Sequence, residues 1–439
     1  MLKKRILIIL LTIATTQAAS AQTNLTISSL QDLLTYADSH SSTIQNNSQQ
    51  ALLTRYQTIA AKLGMLNLKG DAILSSVKNT NLPVSFLPAE IFGGPAGTYR
   101  QVTLGQRYTS AATIAPQIDI LNPYAAAKIK IAKADERRTE LNNLISKKEL
   151  YQSIAAAYYN ILSYQWQIEI TVKTLQNADS IASIFTSKLA EGLLRQQDVN
   201  SAIINTLTVQ DKLQQLKTEQ QQQYNTLKIL CDIDAGTTIQ ITPASNKTST
   251  EDSTLTSTDN LSSRKNMLQY QYQIATLRAD KKWFYPTLTA YGSFSWQQYS
   301  NETLYGSNRW IPINYIGLRL TIPLLPDANK IAAVRYDRVN LRITETNTRH
   351  SILQDSLNNR QAELEYQKAY TSYKLSTQIA SLKEDQYRKN INIYNEGILT
   401  ATELFTSFTD WLNGNLNQQA QKANTEYAKA KILITHSIK

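Results

Sequence analysis

Ile393-Tyr394-Asn395-Glu396-Gly397, with Glu403 six places after the glycine and a long polar helical pattern beyond, decides the fold because the chain carries the same arrangement twice. The other copy reads Lys188-Leu189-Ala190-Glu191-Gly192, with Asp198 six places on and another long polar pattern. The glycines lie 205 residues apart, close to half of the 439-residue chain. A second pair keeps nearly the same offset. Gln117-Ile118-Asp119-Ile120-Leu121-Asn122-Pro123 leads into a helical pattern, and so does Arg319-Leu320-Thr321-Ile322-Pro323-Leu324-Leu325, 202 residues later. Self-similarity at this scale implies one structural unit used twice, each copy burying the other's apolar surface.

Between these landmarks the periodicities are unusually long. From Asn122-Pro123 to about Ala190, apolar residues recur at Ala127, Ile131, Ala134, Leu141, Ile145, Ala155, Tyr159, Leu162 and Trp166. Such a helix measures roughly 100 Å at ~1.5 Å per residue. The return segment, 196–233, alternates steps of three and four through Val199, Ala202, Thr206, Val209, Leu213, Leu216, Gln220, Gln223, Leu227 and Leu230, the coiled-coil period. The second half repeats this, with a helix over 328–395 and another over 400–437 seamed by Leu416, Ala420, Ala423, Tyr427, Ala430 and Ile434. Residues 28–67 read as one helix capped at Ser28 or Ser29, with Leu30, Leu33, Leu34, Ala37, Ile44, Leu52 and Leu53 as its apolar positions.

Three stretches instead alternate with period two: 111–121, 287–299 and 313–322, the last placing Ile316, Leu318, Leu320 and Ile322 opposite Tyr315, Gly317, Arg319 and Thr321. A fourth strand is expected near 70–78, where short extended runs begin at Gly70. At about ten residues each, such strands can cross a bilayer when tilted. Aromatic residues gather near their ends: Trp283, Phe284, Tyr285, Trp296, Tyr299, Trp310 and Tyr315. Four strands cannot close a barrel, and open edges are not tolerated in hydrocarbon, so a membrane reading requires several copies. Two chains give eight strands and three give twelve, the latter wide enough for a lumen. Residues 79–110 read as a long loop.

The expected organisation is a signal peptide over 1–21, a first repeat over 22–236, a Ser/Thr-rich linker over 237–260 and a second repeat over 261–439. The fold class is mainly α with a small β part. The signal rests on Lys3, Lys4 and Arg5, a short apolar run and Ala19-Ser20-Ala21. No cysteine stands at the cleavage point, so lipid attachment there is not expected. The lone Cys231 falls inside a helical pattern and reads as a buried apolar residue. With only 13 glycines and 10 prolines, an all-β chain with many turns is disfavoured. The formal charge of +11 falls by the three N-terminal cations to +8 and is spread without a dense basic run, which argues against nucleic-acid binding. His40, His350 and His436 lie in separate polar stretches, and the chain shows no metal-ligand spacing, phosphate loop or nucleophile elbow. No enzyme activity, cofactor or metal is expected.

Taken together, the duplicated strand–long helix–Gly–long helix order, Tyr394-x-x-Gly397 with Glu403, its weaker copy at Gly192 and Asp198, and the Gly317-to-Leu324 strand-to-helix segment resemble the TolC family of outer-membrane efflux proteins. The resemblance spans essentially the whole mature chain. It implies a homotrimer whose twelve-stranded barrel sits in outer-membrane lipid. A helical tunnel would cross the periplasm, and a periplasmic adaptor and an inner-membrane pump would dock onto it. It places the glycine turns at the periplasmic entrance, with Glu403 as an inward acidic ring and Tyr394 and Asp198 in polar links holding the coils shut. Thr406 stands where a second acid often sits, and Leu399 where a basic link can occur. The alternative is a soluble periplasmic adaptor or scaffold built from coiled coils. A type I secretion duct shares the channel architecture, and the substrate is not legible.

Overall fold

The computed structural model describes residues 24–242, 256–305, 309–325 and 327–438. The expected signal peptide, Pro326 and residues 243–255 of the expected linker lie outside the described residues. In chain order the elements are β1 (Asn24–Ile27), α1 (Leu30–His40), α2 (Ser42–Gly64), β2 (Lys69–Lys78), β3 (Val84–Pro88), β4 (Tyr99–Thr103), β5 (Tyr108–Leu121), α3 (Pro123–Ala190), α4 (Gln196–Cys231), β6 (Thr238–Ile241), α5 (Leu261–Lys281), β7 (Thr287–Ser300), β8 (Ile311–Thr321), α6 (Ala328–Asn395) and α7 (Ala401–Ser437). The chain is mainly helical with a small sheet part. α3 and α6 are each 68 residues long. Among the described residues, no helix is long and apolar enough to cross a membrane.

The chain divides into two compact units, each drawn from both halves of the sequence. One comprises residues up to 50, 140–265 and 349–439; the other comprises 51–139 and 266–348. The first is built on helix packing. Its largest core joins Ile27, Leu33, Ala37, Ile154, Ile161, Leu227, Ile239, Ile241 and Ile434. The seam expected along α4 is buried at Val199, Ala202, Val209, Leu213, Leu216 and Leu227, with Asn205 and Cys231 taking the places of Thr206 and Leu230.

Three expectations need correction here. Residues 28–67 are two helices, because Ser41 ends α1 in an extended conformation and two ties hold the break. The Ser41 hydroxyl donates to the Leu230 carbonyl at 3.0 Å, and the Ser42 N–H donates to the Asp232 carboxylate. The expected linker is partly ordered structure. Thr238–Ile241 is a strand pairing in parallel with β1, which drives Ile239 and Ile241 into the core. The linker's other end is pinned to α6, where Asn359 Oδ1 accepts from the Ser257 hydroxyl and the Asp259 N–H, both at 2.8 Å. Finally, the region 79–110 is not a plain loop. β3 and β4 form an antiparallel hairpin within it, from Val84↔Thr103 to Pro88↔Tyr99.

The second unit holds a four-stranded antiparallel sheet in the order β2-β5-β7-β8. Its register lines up the apolar alternations. Ala72 lies opposite Ile114 and Ile114 opposite Phe294; Ala290 lies between Ile118 and Leu318, and Leu288 opposite Leu320. Since side chains alternate across a strand, these residues form one face. The other face carries Thr113, Ser295, Thr289, Asp119 and Arg319. There the Thr113 and Ser295 hydroxyls meet at 2.9 Å, and the Thr289 hydroxyl donates to Asp119 Oδ1 at 2.7 Å. The shorter helices grip the long ones through polar side chains. Thr58 donates to Glu136 at 3.0 Å and Gln273 to Asp337 at 3.2 Å, whereas Leu52 and Leu53, two of the apolar positions of the helical pattern, are exposed.

Leu33 is fully buried against this helical core. Leu33→Ala is expected to cost about 2–5 kcal/mol through lost burial and a residual cavity, read as a lower thermal midpoint of the helical circular-dichroism signal.

Candidate functional site

The five residues singled out by the sequence, Gly192, Asp198, Tyr394, Gly397 and Glu403, all belong to the first compact unit. They occupy two helical turns of the same construction. A helix leaves its last carbonyls without intrahelical partners, and a residue in the left-handed region can turn the chain back to satisfy them. Gly192 sits there at φ +76° and Gly397 at φ +77°. At the first turn the Gly192 N–H reaches Leu189 O at 2.9 Å and the Leu193 N–H reaches Lys188 O at 2.8 Å. At the second the Gly397 N–H reaches Tyr394 O at 2.9 Å and the Ile398 N–H reaches Ile393 O at 3.2 Å. Nothing lies within 4 Å of a Cβ built on either glycine. Backbone conformation, not space, therefore demands glycine.

The capping positions of the return helices come three residues after the glycines, and here the copies differ. At α7, Thr400 caps the helix and Glu403 completes a capping box. The Glu403 N–H donates to Thr400 Oγ1 at 3.3 Å, while Glu403 Oε2 accepts from the Thr400 N–H at 3.0 Å and from its hydroxyl at 2.7 Å. These hydrogen bonds, the hydroxyl's first, hold the exposed Glu403 carboxyl below the usual carboxylate range. At α4 the capping position is Arg195, whose side chain makes no capping bond, and only the reverse bond forms, from the Arg195 N–H to Asp198 Oδ2 at 3.3 Å. The second turn is thus the more completely capped.

Tyr394 joins the two turns. Its ring stacks on Phe185 of α3 at 5.5 Å and 12°, and Phe185 meets Phe405 of α7 at 5.6 Å. Val199, Ala202 and Ala401 complete a small core around them. Burial, then the charge of Asp198, raises the Tyr394 phenol above its ordinary value. The structure therefore brings Tyr394 and Asp198 together, whereas Glu403 stands apart, hydrogen-bonded to Thr400 in its own turn. Sequence reasoning missed Phe185, Phe405 and Thr400. The Thr400-x-x-Glu403 spacing was the available signal for the last of these. At the positions that depart from the family pattern, Thr406 donates to the Thr402 carbonyl at 2.9 Å within its own helix, and Leu399 is half-buried. Among the described residues, no group of three or more His, Cys, Asp or Glu side chains is placed to hold a metal.

No protein-family model and no curated protein matches the chain. Solved structures do. The outer membrane channel CmeC of Campylobacter jejuni superposes with a TM-score of 0.74 at 13% identity, over 93% of this chain and 85% of that one. The outer membrane channel MtrE of Neisseria gonorrhoeae, solved in an open state, gives 0.70 at 12% identity, over 95% and 93%. The outer membrane protein VceC of Vibrio cholerae gives 0.68 at 16% identity, over 93% and 95%. The likeness is one of fold: this chain has the fold of outer-membrane channels, as the resemblance read from its sequence led one to expect.

Gly397→Ala is expected to cost about 1–2 kcal/mol, the penalty for placing a Cβ in the left-handed region, and Gly397→Asn less, in thermal unfolding. The Glu403 contribution is fully present above the ordinary Glu range and is lost as pH falls through its lowered folded value. Hydrogen-exchange protection at the start of α7, corrected for intrinsic exchange rates, should therefore fall in acid in the wild type and stay level in Glu403→Gln.

Proposed function

We propose that this chain is the outer-membrane exit duct of a tripartite efflux or secretion system, working as a homotrimer without catalysis or cofactor. The observation that carries this reading is the sheet. Its apolar face is left uncovered along β8, with Ile316, Leu318 and Leu320 80%, 68% and 59% exposed. β2 and β8 are its edges, and neither pairs with a further strand among the described residues. An apolar face suits lipid, but an unpaired edge does not, since each backbone group left unbonded in hydrocarbon costs several kcal/mol. Joining β2 of one copy to β8 of the next removes every edge. Three copies make twelve strands around a lumen.

The helices support the same reading. Val339, Ile343, Leu353, Leu357 and Leu364 recur at helical spacing along α6 and are all exposed in the single chain. A stripe of this kind calls for a partner, and further copies supply one. The matching 68-residue lengths of α3 and α6 accord with tandem duplication, with repeats over 22–236 and 261–439. A soluble adaptor has no use for an uncovered apolar sheet face, and the fold likeness is to outer-membrane channels.

In this reading the glycine turns form the periplasmic entrance. Three copies of Glu403, exposed and anionic, ring the opening and favour cations there. Tyr394 and Asp198 hold neighbouring coils shut, and adaptor docking loosens them. Leu193 and Ile398, the residues after the two glycines, are 67% and 74% exposed and offer the adaptor an apolar foothold.

Planar-bilayer recording tests this. The detergent-extracted protein is expected to form channels that prefer cations, and Glu403→Gln to reduce that preference. Glutamine keeps the capping box, so the change isolates the charge. A protein that forms no channel contradicts the function; an unchanged preference removes Glu403 from the entrance.

A further inference from the structure

A pair of carboxyl groups lies where the second unit's helices meet its strands. Asp280 is in the last turn of α5, shortly before β7 begins at Thr287, and Asp337 is in the third turn of α6, after β8. Asp337 is only 5% exposed. Its Oδ1 accepts from Gln273 Nε2 at 3.2 Å, and Gln273 is itself buried. Its Oδ2 is buried without any hydrogen-bond donor. A buried carboxylate oxygen without a donor is costly. The acid that acts on it from the facing helix is Asp280, on the α5 that Gln273 already ties to Asp337. Two facing carboxylates repel, whereas a carboxylic acid beside a carboxylate makes a strong O–H···O bond.

We propose that a proton held on Asp280 bridges it to Asp337 and forms a clasp between α5 and α6 that loosens when the proton leaves. The protonated Asp280 hydroxyl is the donor that Asp337 Oδ2 lacks. The charges acting on Asp280 are those of Asp337 from α6 and Lys128 from α3. Lys130 of α3, Arg278 of α5 and Lys282 just beyond α5 line a cleft of about 280 Å³. Lys128 also sits over the Tyr124 ring at 4.7 Å, and Tyr124 packs against Trp283 at 5.1 Å, immediately before β7. Loss of the proton therefore acts where α3 and the segment leading into β7 touch. Burial first, then the Asp337 charge, pushes Asp280 up to about 6, against the pull of Lys128. The folded value lies above the unfolded one, so the stabilisation is complete below the ordinary aspartate range and is lost as pH rises through about 6. The clasp is closed in mild acid and strained above neutrality.

Hydrogen exchange of the full chain in detergent at pH 5 and pH 7.5, corrected for intrinsic exchange rates, tests this on peptides covering 274–286 and 331–341. In the wild type, protection should fall roughly tenfold from the lower to the higher pH, within the ~100-fold that a two-unit shift permits. Asp280→Asn and, independently, Asp337→Asn should flatten the profile, because neither keeps two acids face to face. A level wild-type profile overturns the proposal without recourse to any variant. A pH response that survives in a folded variant overturns it as well, since the proton then resides elsewhere.

Discussion

A backbone amide or carbonyl removed from water must find a partner, and this requirement governs the molecule. The four-stranded sheet satisfies it internally but leaves β2 and β8 as edges, while one of its faces is apolar and uncovered along β8. In water such a sheet is an aggregation template. In lipid it is intolerable alone and stable once closed. The exposed apolar stripe of α6 poses the same problem at helical spacing. In the proposed trimer both are resolved by copies of the same chain.

The two turns show how local chemistry separates similar sequences. Both use a glycine at positive φ and the same pair of backbone bonds. They part at the following cap, Thr400 in one and Arg195 in the other. Asp198 is half-buried, with its charge acting on Tyr394, and Glu403 is exposed. A capping acid stabilises its helix whether or not it faces a passage. The capping box therefore explains why an acid stands at 403, and its exposure leaves the charge free to act on ions.

What the sequence made legible was whatever repeats over many residues. The three-four spacing of α4, the long unbroken pattern of α3 and α6, and the alternation of β7 and β8 each accumulate signal along their length. Four-residue strands do not. β1 and β6 pair across more than 200 residues of chain, and nothing local distinguishes Thr238-Ile239-Gln240-Ile241 from a polar linker except two isoleucines. The break at Ser41 depends on Leu230 and Asp232 and is invisible without tertiary contact. The β3–β4 hairpin hid among the Pro and Gly residues around it. At the turns, the glycines and acids were readable because backbone conformation and capping impose residue type at fixed spacing. Phe185 and Phe405 were not, because aromatic packing between distant helices leaves no spacing rule.

The most direct measurement is the mass of the native particle recovered from cells expressing the full chain. A complex of three chains, found in the outer-membrane fraction and kept in solution only by detergent, is the required result. A monodisperse single chain, soluble without detergent and with its β2 and β8 amides exchanging freely with water, contradicts it.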